Sequence, residues 1–168
     1  MCITIAYVEW SVLMTPIGDL GLAVDGIGLC AVRFGGADGR TSRSGRDHRL
    51  TSVMDQLSAY FAGVRTEFEV KVSVRSGTVF EHAVWAAIAR IPYGEMRSYG
   101  DIAASVGDRM AARAVGAACN RNPLPIIVPC HRVVGADGTL GGFGGGLDRK
   151  IWLLQHEAKI YLEGFAAS

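Results

Sequence analysis

The sequence predicts an α+β protein in two parts: a small antiparallel-sheet lobe over residues 1–76 and a helical lobe over residues 77–168 containing a helix-turn-helix. Three observations predict it. Short apolar stretches alternate with hairpin punctuation up to about residue 35, apolar residues switch to helical spacing after Gly77, and two short helical segments flank Gly107-Asp108-Arg109. With 168 residues, 49% of them hydrophobic, the chain can bury a core, which excludes wholesale disorder and fibrous structure. The formal net charge of +1 creates no global field, so any binding to nucleic acid or membrane must be local. No apolar run approaches about 18 residues and no leader pattern opens the chain, so neither a membrane span nor a signal peptide is expected. A cytoplasmic location is the corresponding expectation.

In the first lobe, Ile3 to Val8, Leu20 to Val24 and Leu29 to Phe34 read as strands, separated by the turn signals Thr15-Pro16-Ile17-Gly18 and Asp25-Gly26-Ile27-Gly28. Gly35 to Arg49 is poor in large apolar side chains and reads as an exposed loop. Leu50 to Gly63 places Val53, Leu57, Tyr60 and Phe61 at helical spacing, and Phe68 to Val74 alternates like a returning strand. In the second lobe, Val79 to Arg90 carries Phe80, Ala83, Val84, Ala87 and Ile88 on one helical face, with Trp85 as core. Ile91-Pro92-Tyr93-Gly94 ends that helix. Ser98, three residues before Asp101, has the spacing of an N-cap for a short helix, and a second helix is predicted from Met110 to about Cys119. Small residues line one side of it, a pattern that serves either tight packing or close approach to a DNA groove; Arg113, isolated among alanines, favours the groove.

The cysteines, Cys2, Cys30, Cys119 and Cys130, form no CxxC pair, which fits free thiols better than a disulfide scaffold. Cys2, Cys30, His48 and His82 follow no usual metal-ligand spacing, and no metal site is expected. Cys119 reads as a packed thiol. Cys130 stands at the end of a Pro-flanked run of β-branched residues, beside His131 and Arg132. A free thiol is ionised to only about a few per cent at neutral pH, so nucleophilic use requires a base or local positive charge. If the segment is an extended strand, His131 faces away from Cys130 and would act through a bridging water. Taken singly, Cys130 reads as a buried small hydrophobe and His131 as a hydrogen-bonded interior residue.

The joint pattern carries more. Pro129-Cys130-His131-Arg132-Val133 resembles the active-site signature of the O6-alkylguanine-DNA alkyltransferases, the single-use repair proteins that strip alkyl groups from guanine. Ile91-Pro92-Tyr93-Gly94-Glu95 with Ser98-Tyr99 resembles the segment entering that family's helix-turn-helix, and Ala111-Ala112-Arg113-Ala114-Val115-Gly116 resembles its recognition helix. Asn122-Pro123 is similar to a structural turn. Gly141 to Gly146, Lys150 and Trp152 to Glu157 are similar to the family's C-terminal end. Motifs are dense from about residue 79 to 158. The N-terminal lobe, ribonuclease H-like in the family, is tied in only by Thr15-Pro16-Ile17-Gly18 and Tyr60-Phe61-Ala62-Gly63.

The resemblance implies that Cys130 attacks the alkyl carbon on O6 of guanine, that His131 is the base through a water, and that Glu157 orients His131. Tyr99 would displace a phosphate and donate a proton to the departing guanine, Lys150 would stabilise charge on the base, and Arg113 would enter the stack in place of the flipped nucleotide. Ala111, Ala112, Ala114 and Gly116 would face DNA with Arg113 and Tyr99. Asn122, Pro125, Val133, Phe143, Gly144 and Gly145 would form the pocket and its supporting turns. Phe143 departs from the tyrosine common there, Gly144 from a serine of some relatives, and Asp108-Arg109-Met110 lacks a proline often found in the turn. The glycine run Gly138 to Gly146 reads either as backbone brought close to a flat base or as a flexible loop.

The implied activity is flipping of O6-alkylguanine from duplex DNA and irreversible transfer of its alkyl group to Cys130, with O4-alkylthymine left open. Self-alkylation needs no metal and no organic cofactor. The implied partner is double-stranded DNA containing alkylated guanine, with no membrane, for a monomer whose clustering on DNA is left open. The alternative is a non-catalytic alkyl-lesion-binding or regulatory helix-turn-helix protein, which Cys130 disfavours because such relatives carry tryptophan there. A cysteine hydrolase would need turnover and an oxyanion site.

Overall fold

A computed structural model of the chain describes residues 8–37 and 47–166, and it divides into two compact units between Arg75 and Ser76. In the first unit, β1 (Glu9–Leu13), β2 (Leu20–Val24) and β3 (Leu29–Phe34) form an antiparallel sheet in that order. The β1–β2 hairpin closes with Leu13 opposite Leu20, because Gly18 at φ 95° donates its N–H to the Thr15 carbonyl at 3.0 Å. That closure sets the pairing at Glu9–Leu13, later in the chain than the Ile3 to Val8 stretch, whose residues 3–7 lie outside those described. Within the loop expected from Gly35 to Arg49, residues 38–46 also lie outside them.

The β2–β3 turn is organised by Asp25, 4% exposed, whose Oδ1 accepts from the N–H groups of Ile27 at 2.7 Å and Gly28 at 3.0 Å. Its Oδ2 accepts from Ser73 Oγ at 2.7 Å and pairs with Arg75 at 3.1 Å. Helix α1 (His48–Phe61) is N-capped by Asp47 and buries Leu50, Val53, Leu57 and Tyr60. The returning strand expected over Phe68 to Val74 is reduced to one parallel bridge, Leu29 with Val72. Gln56 of α1 takes the next stretch of backbone out of any ladder: its Oε1 accepts from Glu69 N–H at 2.8 Å and its Nε2 donates to Glu69 O at 3.2 Å.

The second unit starts with α2 (Val79–Ala89), opened by a reciprocal capping box between Thr78 and Glu81. Ala83, expected on the apolar face, is exposed, while Val84, Trp85, Ala87 and Ile88 are buried. Strand β4 (Arg97–Ser98) leads into α3 (Tyr99–Ser105), and the Ser98–Asp101 capping box is formed as its spacing predicts. Gly107, at φ 90°, lies in the connection to α4 (Ala112–Asn120). The helix starts two residues later than expected. Met110 N–H goes to Asp108 Oδ1 at 3.0 Å and Ala111 N–H to Asp108 O at 3.1 Å, a turn rather than a helical ladder. Trp85 Nε1 donates to Ala118 O at 2.9 Å, fastening α2 to α4. Ile102 and Ala103 of α3 share one core with Val115, Ala118 and Cys119 of α4.

The segment carrying Cys130 is not the extended strand expected. Pro125 and Pro129 offer no N–H to a ladder, pairing there is a single bridge between Pro125 and Val128, and Cys130–Arg132 is one 3-10 turn. Only afterwards does β5 (Val133–Val134) pair, in parallel, with β4. Helix α5 (Leu147–Ala166) completes the unit. Among the described residues no helix is long and apolar enough to cross a membrane.

Candidate active site

Asn122 shapes the ground on which Cys130 sits. Its Nδ2 donates to Val128 O at 2.8 Å and to Cys130 Sγ at 3.2 Å, while its Oδ1 accepts from Leu124 N–H at 3.0 Å. One amide therefore closes the Pro-rich turn and touches the thiol. Cys130 is 4% exposed, and burial pushes its thiol above the ordinary range. The Asn122 amide, the positive Lys150 and neighbouring backbone N–H groups pull the other way without reversing it. The resting group is a thiol, so its reaction needs a proton acceptor.

His131 and Glu157 are both fully buried, with His131 Nε2 and Glu157 Oε1 at 2.8 Å. Burial lowers the His131 pKa, which Glu157 only partly opposes, so the imidazole is neutral at pH 7. Burial alone would raise Glu157, yet the hydrogen bonds and charges of His131 and Arg132 hold it well below the ordinary carboxylate range. Next to this ionised acceptor Nε2 carries the proton, and His131 Nδ1, buried and without a protein partner, keeps its lone pair.

Lys150 reaches in from α5, with Nζ donating to Val133 O at 2.7 Å and lying 5.8 Å from the Tyr99 ring centre. Burial lowers its pKa, against the attraction of Cys119 and Cys130. Tyr99, half-buried at the head of α3, has its hydroxyl raised by burial and then by the same two cysteines. Gly141 explains part of the glycine run: a Cβ there would lie 2.5 Å from the Tyr99 hydroxyl and 3.1 Å from its ring, so only glycine leaves the tyrosine in place. Cys119 is buried and its thiol is pushed up to about 12, first by burial and then by Cys130, as suits a packed thiol. No group of three metal-ligating side chains occurs among the described residues.

A family model for the DNA binding domain of 6-O-methylguanine DNA methyltransferase matches residues 79–159, and one for its ribonuclease-like domain matches residues 8–74. The chain belongs to the 6-O-methylguanine DNA methyltransferase family. It is 47% identical over 156 residues to a methylated-DNA–protein-cysteine methyltransferase of Mycobacterium bovis, covering 89% of this chain and 92% of that protein. It is similar to the crystal structure of the Mycobacterium tuberculosis O6-methylguanine methyltransferase, with a TM-score of 0.79 and 46% identity, over 91% of this chain and 94% of the other. A crystal structure of Mycobacterium tuberculosis OGT in complex with DNA gives a TM-score of 0.81 at 46% identity, over 90% of this chain and 94% of that one.

In this member of the methyltransferase family the predicted residues fall into two groups. Cys130, His131, Glu157, Asn122, Lys150 and Val133 gather as three hydrogen-bonded pairs, Asn122–Cys130, His131–Glu157 and Lys150–Val133, with the Lys150 ammonium also near the Tyr99 ring. Arg113 and Ala114 stand apart from them on the exposed side of α4, with Ala111, Ala112 and Gly116 half-buried; Arg113 makes no ion pair among the described residues. Pro125 is buried, Phe143 packs half-buried against the core, Gly144 is exposed, and buried Gly145 accepts from Arg149 NH1 at 2.7 Å. Arg132, expected to lend positive charge to the thiol, turns to Glu157 instead, with Nε to Oε2 at 2.8 Å and NH2 to Oε1 at 2.9 Å.

Proposed function

We propose that this chain repairs duplex DNA by moving the alkyl group from O6 of guanine onto its own Cys130. DNA alkyl repair by a methylated-DNA–protein-cysteine methyltransferase is its activity, as in the relatives it matches. The observation that carries the Cys130 assignment is the buried thiol held by Asn122 one residue before a neutral histidine whose Nδ1 is bare.

The Cys130 proton passes to His131 Nδ1, through a water as the resemblance implies, while Nε2–H stays on Glu157. The thiolate then forms the C–S bond as the alkyl carbon–O6 bond breaks, and the guanine anion takes up the proton of Tyr99. The positive Lys150, fixed on Val133 O near the Tyr99 ring, stabilises the negative charge of that step. A thioether has no leaving group that water displaces, so each molecule acts once. DNA is held by α3 and α4, read as a helix-turn-helix, with Arg113 filling the space of the flipped nucleotide. All these residues fall in the lobe from 77 to 168, and the lobe over 1–76 is assigned a structural role.

Intact-mass measurement after exposure to a duplex containing O6-methylguanine tests the reading. One methyl group per molecule, mapped to Cys130, is expected; many lesions cleared per molecule, or alkylation of another cysteine, would overturn it.

A further inference from the structure

The turn Ile91-Pro92-Tyr93-Gly94 and the side chain of Arg132 have no part in the chemistry above, yet both converge on Glu157. Glu157 Oε1 accepts from His131 Nε2 at 2.8 Å and Arg132 NH2 at 2.9 Å; Oε2 accepts from Arg132 Nε at 2.8 Å and Gly94 N–H at 3.3 Å. Arg132 is itself pinned, with NH1 on Ile91 O at 2.6 Å and its guanidinium 5.6 Å from the Tyr93 ring centre.

We propose that Arg132, braced by the Ile91–Gly94 turn, is a positioning residue that keeps His131 a neutral base with its proton on Nε2 and its lone pair on Nδ1. The inference rests on the base role given to His131 above. A carboxylate already accepting four hydrogen bonds has no open lone pair and stays ionised, so the nitrogen facing it must be the donor. Neutral imidazole has one N–H, and Nδ1 is then the acceptor by elimination. Without Arg132, Glu157 would be a stronger acceptor with two lone pairs freed, and the pair would favour imidazolium.

The charges facing the imidazole act in the same sense. Glu157 and Lys150 reach it from α5 and Arg132 from its own turn, while Tyr93 faces Glu157 and Arg132 rather than the ring. Burial, then Arg132 and Lys150, disfavour the imidazolium, and Glu157 alone favours it. Removing Arg132 takes away one of two opposing cations and strengthens the single attraction, so protonation of His131 moves to higher pH.

The test reads the His131 ring nitrogens by NMR in the full chain, together with single-turnover alkylation by free O6-benzylguanine between about pH 5 and about pH 8. Wild type, Arg132→Lys and Arg132→Gln are compared. The wild-type ring is expected as the Nε2–H tautomer. In Arg132→Gln the His131 titration and the acid limb of the rate profile should both move up by about one pH unit. Arg132→Lys, which keeps the charge without the fork, should hold both close to wild type at a reduced plateau rate. A wild-type ring protonated on Nδ1, or an Arg132→Gln titration that coincides with wild type, would overturn the proposal. Failure of the wild-type chain to take up any alkyl group would count against the function proposed above, whereas the ring titration decides the role of Arg132 without it.

Discussion

Two buried carboxylates, one in each unit, show how similar ingredients serve different ends. Asp25 is 4% exposed and Glu157 is 1% exposed, and each is held by several donors that leave its carboxylate below the ordinary range. The donors to Asp25 are two N–H groups of its own turn, the Ser73 hydroxyl and Arg75, and no imidazole or thiol is among them. Glu157 instead spends an oxygen on His131, whose far nitrogen has no protein partner and which adjoins a thiol on the same 3-10 turn. Burial of an acid marks a cost the fold has offset; a titratable partner with an unused lone pair marks a site.

The strongest way to break that comparison is to alter one residue on each side of it. Cys130→Ser should abolish alkyl transfer entirely, measured as loss of stoichiometric labelling by O6-benzylguanine, while alkylated duplex is still bound. Asp25→Asn should label to one equivalent at the wild-type rate and lose about 1–3 kcal/mol of stability in urea unfolding, the cost of weakening buried polar partners. Slow labelling of Asp25→Asn with the fold intact would show that the first unit takes part in the chemistry. Next in size is Tyr99→Phe, which keeps the ring over Gly141 and removes only the hydroxyl. Transfer should slow by on the order of ten- to a thousandfold, the usual range for a lost general acid, and an unchanged rate would place the proton donor elsewhere.

How much of this was legible in the sequence differs between the two carboxylates for the same reason. The two N–H donors of the Asp25 turn are local, and Asp25-Gly26-Ile27-Gly28 reads as a turn on sight, while Ser73 and Arg75 come from about fifty residues away. Cys130 and His131 are adjacent and were legible together, whereas Asn122, eight residues before Cys130, came only through the family resemblance. Glu157 was reachable only through the family resemblance, since its partners lie 25 and 26 residues away. Arg132 was misassigned because neighbours in an extended strand diverge, whereas the 3-10 turn points His131 and Arg132 at the same carboxylate. The Ser98 N-cap was read from its spacing to Asp101, and the structure adds the reciprocal bond that makes it a capping box. The Thr78–Glu81 box has that spacing too and went unread, though Glu81 also pairs with Arg121 at the end of α4. Phe68 to Val74 alternates like a strand, and nothing local shows that Gln56 will claim the Glu69 backbone.

Arg113 sharpens the division between the buried residues around Cys130 and the exposed face of α4. Since it stands exposed on α4 and belongs to none of the hydrogen-bonded pairs around Cys130, Arg113→Ala should leave the reaction with free O6-benzylguanine close to wild type. Repair of duplex DNA should fall by at least about tenfold, a loss of about 1.4 kcal/mol in the step that flips the base. Equal losses on both substrates would place Arg113 in the chemistry instead.

The smallest expected effect separates the two units by pH. His131 is buried neutral with its pKa lowered from an ordinary value near 6.5, so the unfolded chain takes up a proton below that value before the folded one does. The second unit therefore loses stability as pH falls from about 6.5 toward the folded value of His131. Asp25 is also lowered, from 3.8, because its hydrogen bonds and Arg75 outweigh the burial that would raise it. Its contribution is intact above about pH 4 and is lost only as pH falls through its folded value. Amide exchange, corrected for intrinsic rates, reads each unit separately. Between pH 6.5 and pH 5, protection should decline in α5 and the β4–β5 pair while the β2–β3 turn holds; the turn should yield only in stronger acid. Loss of protection in both regions together below pH 4, with no earlier decline in α5, would mean that His131 is not held neutral in the folded chain.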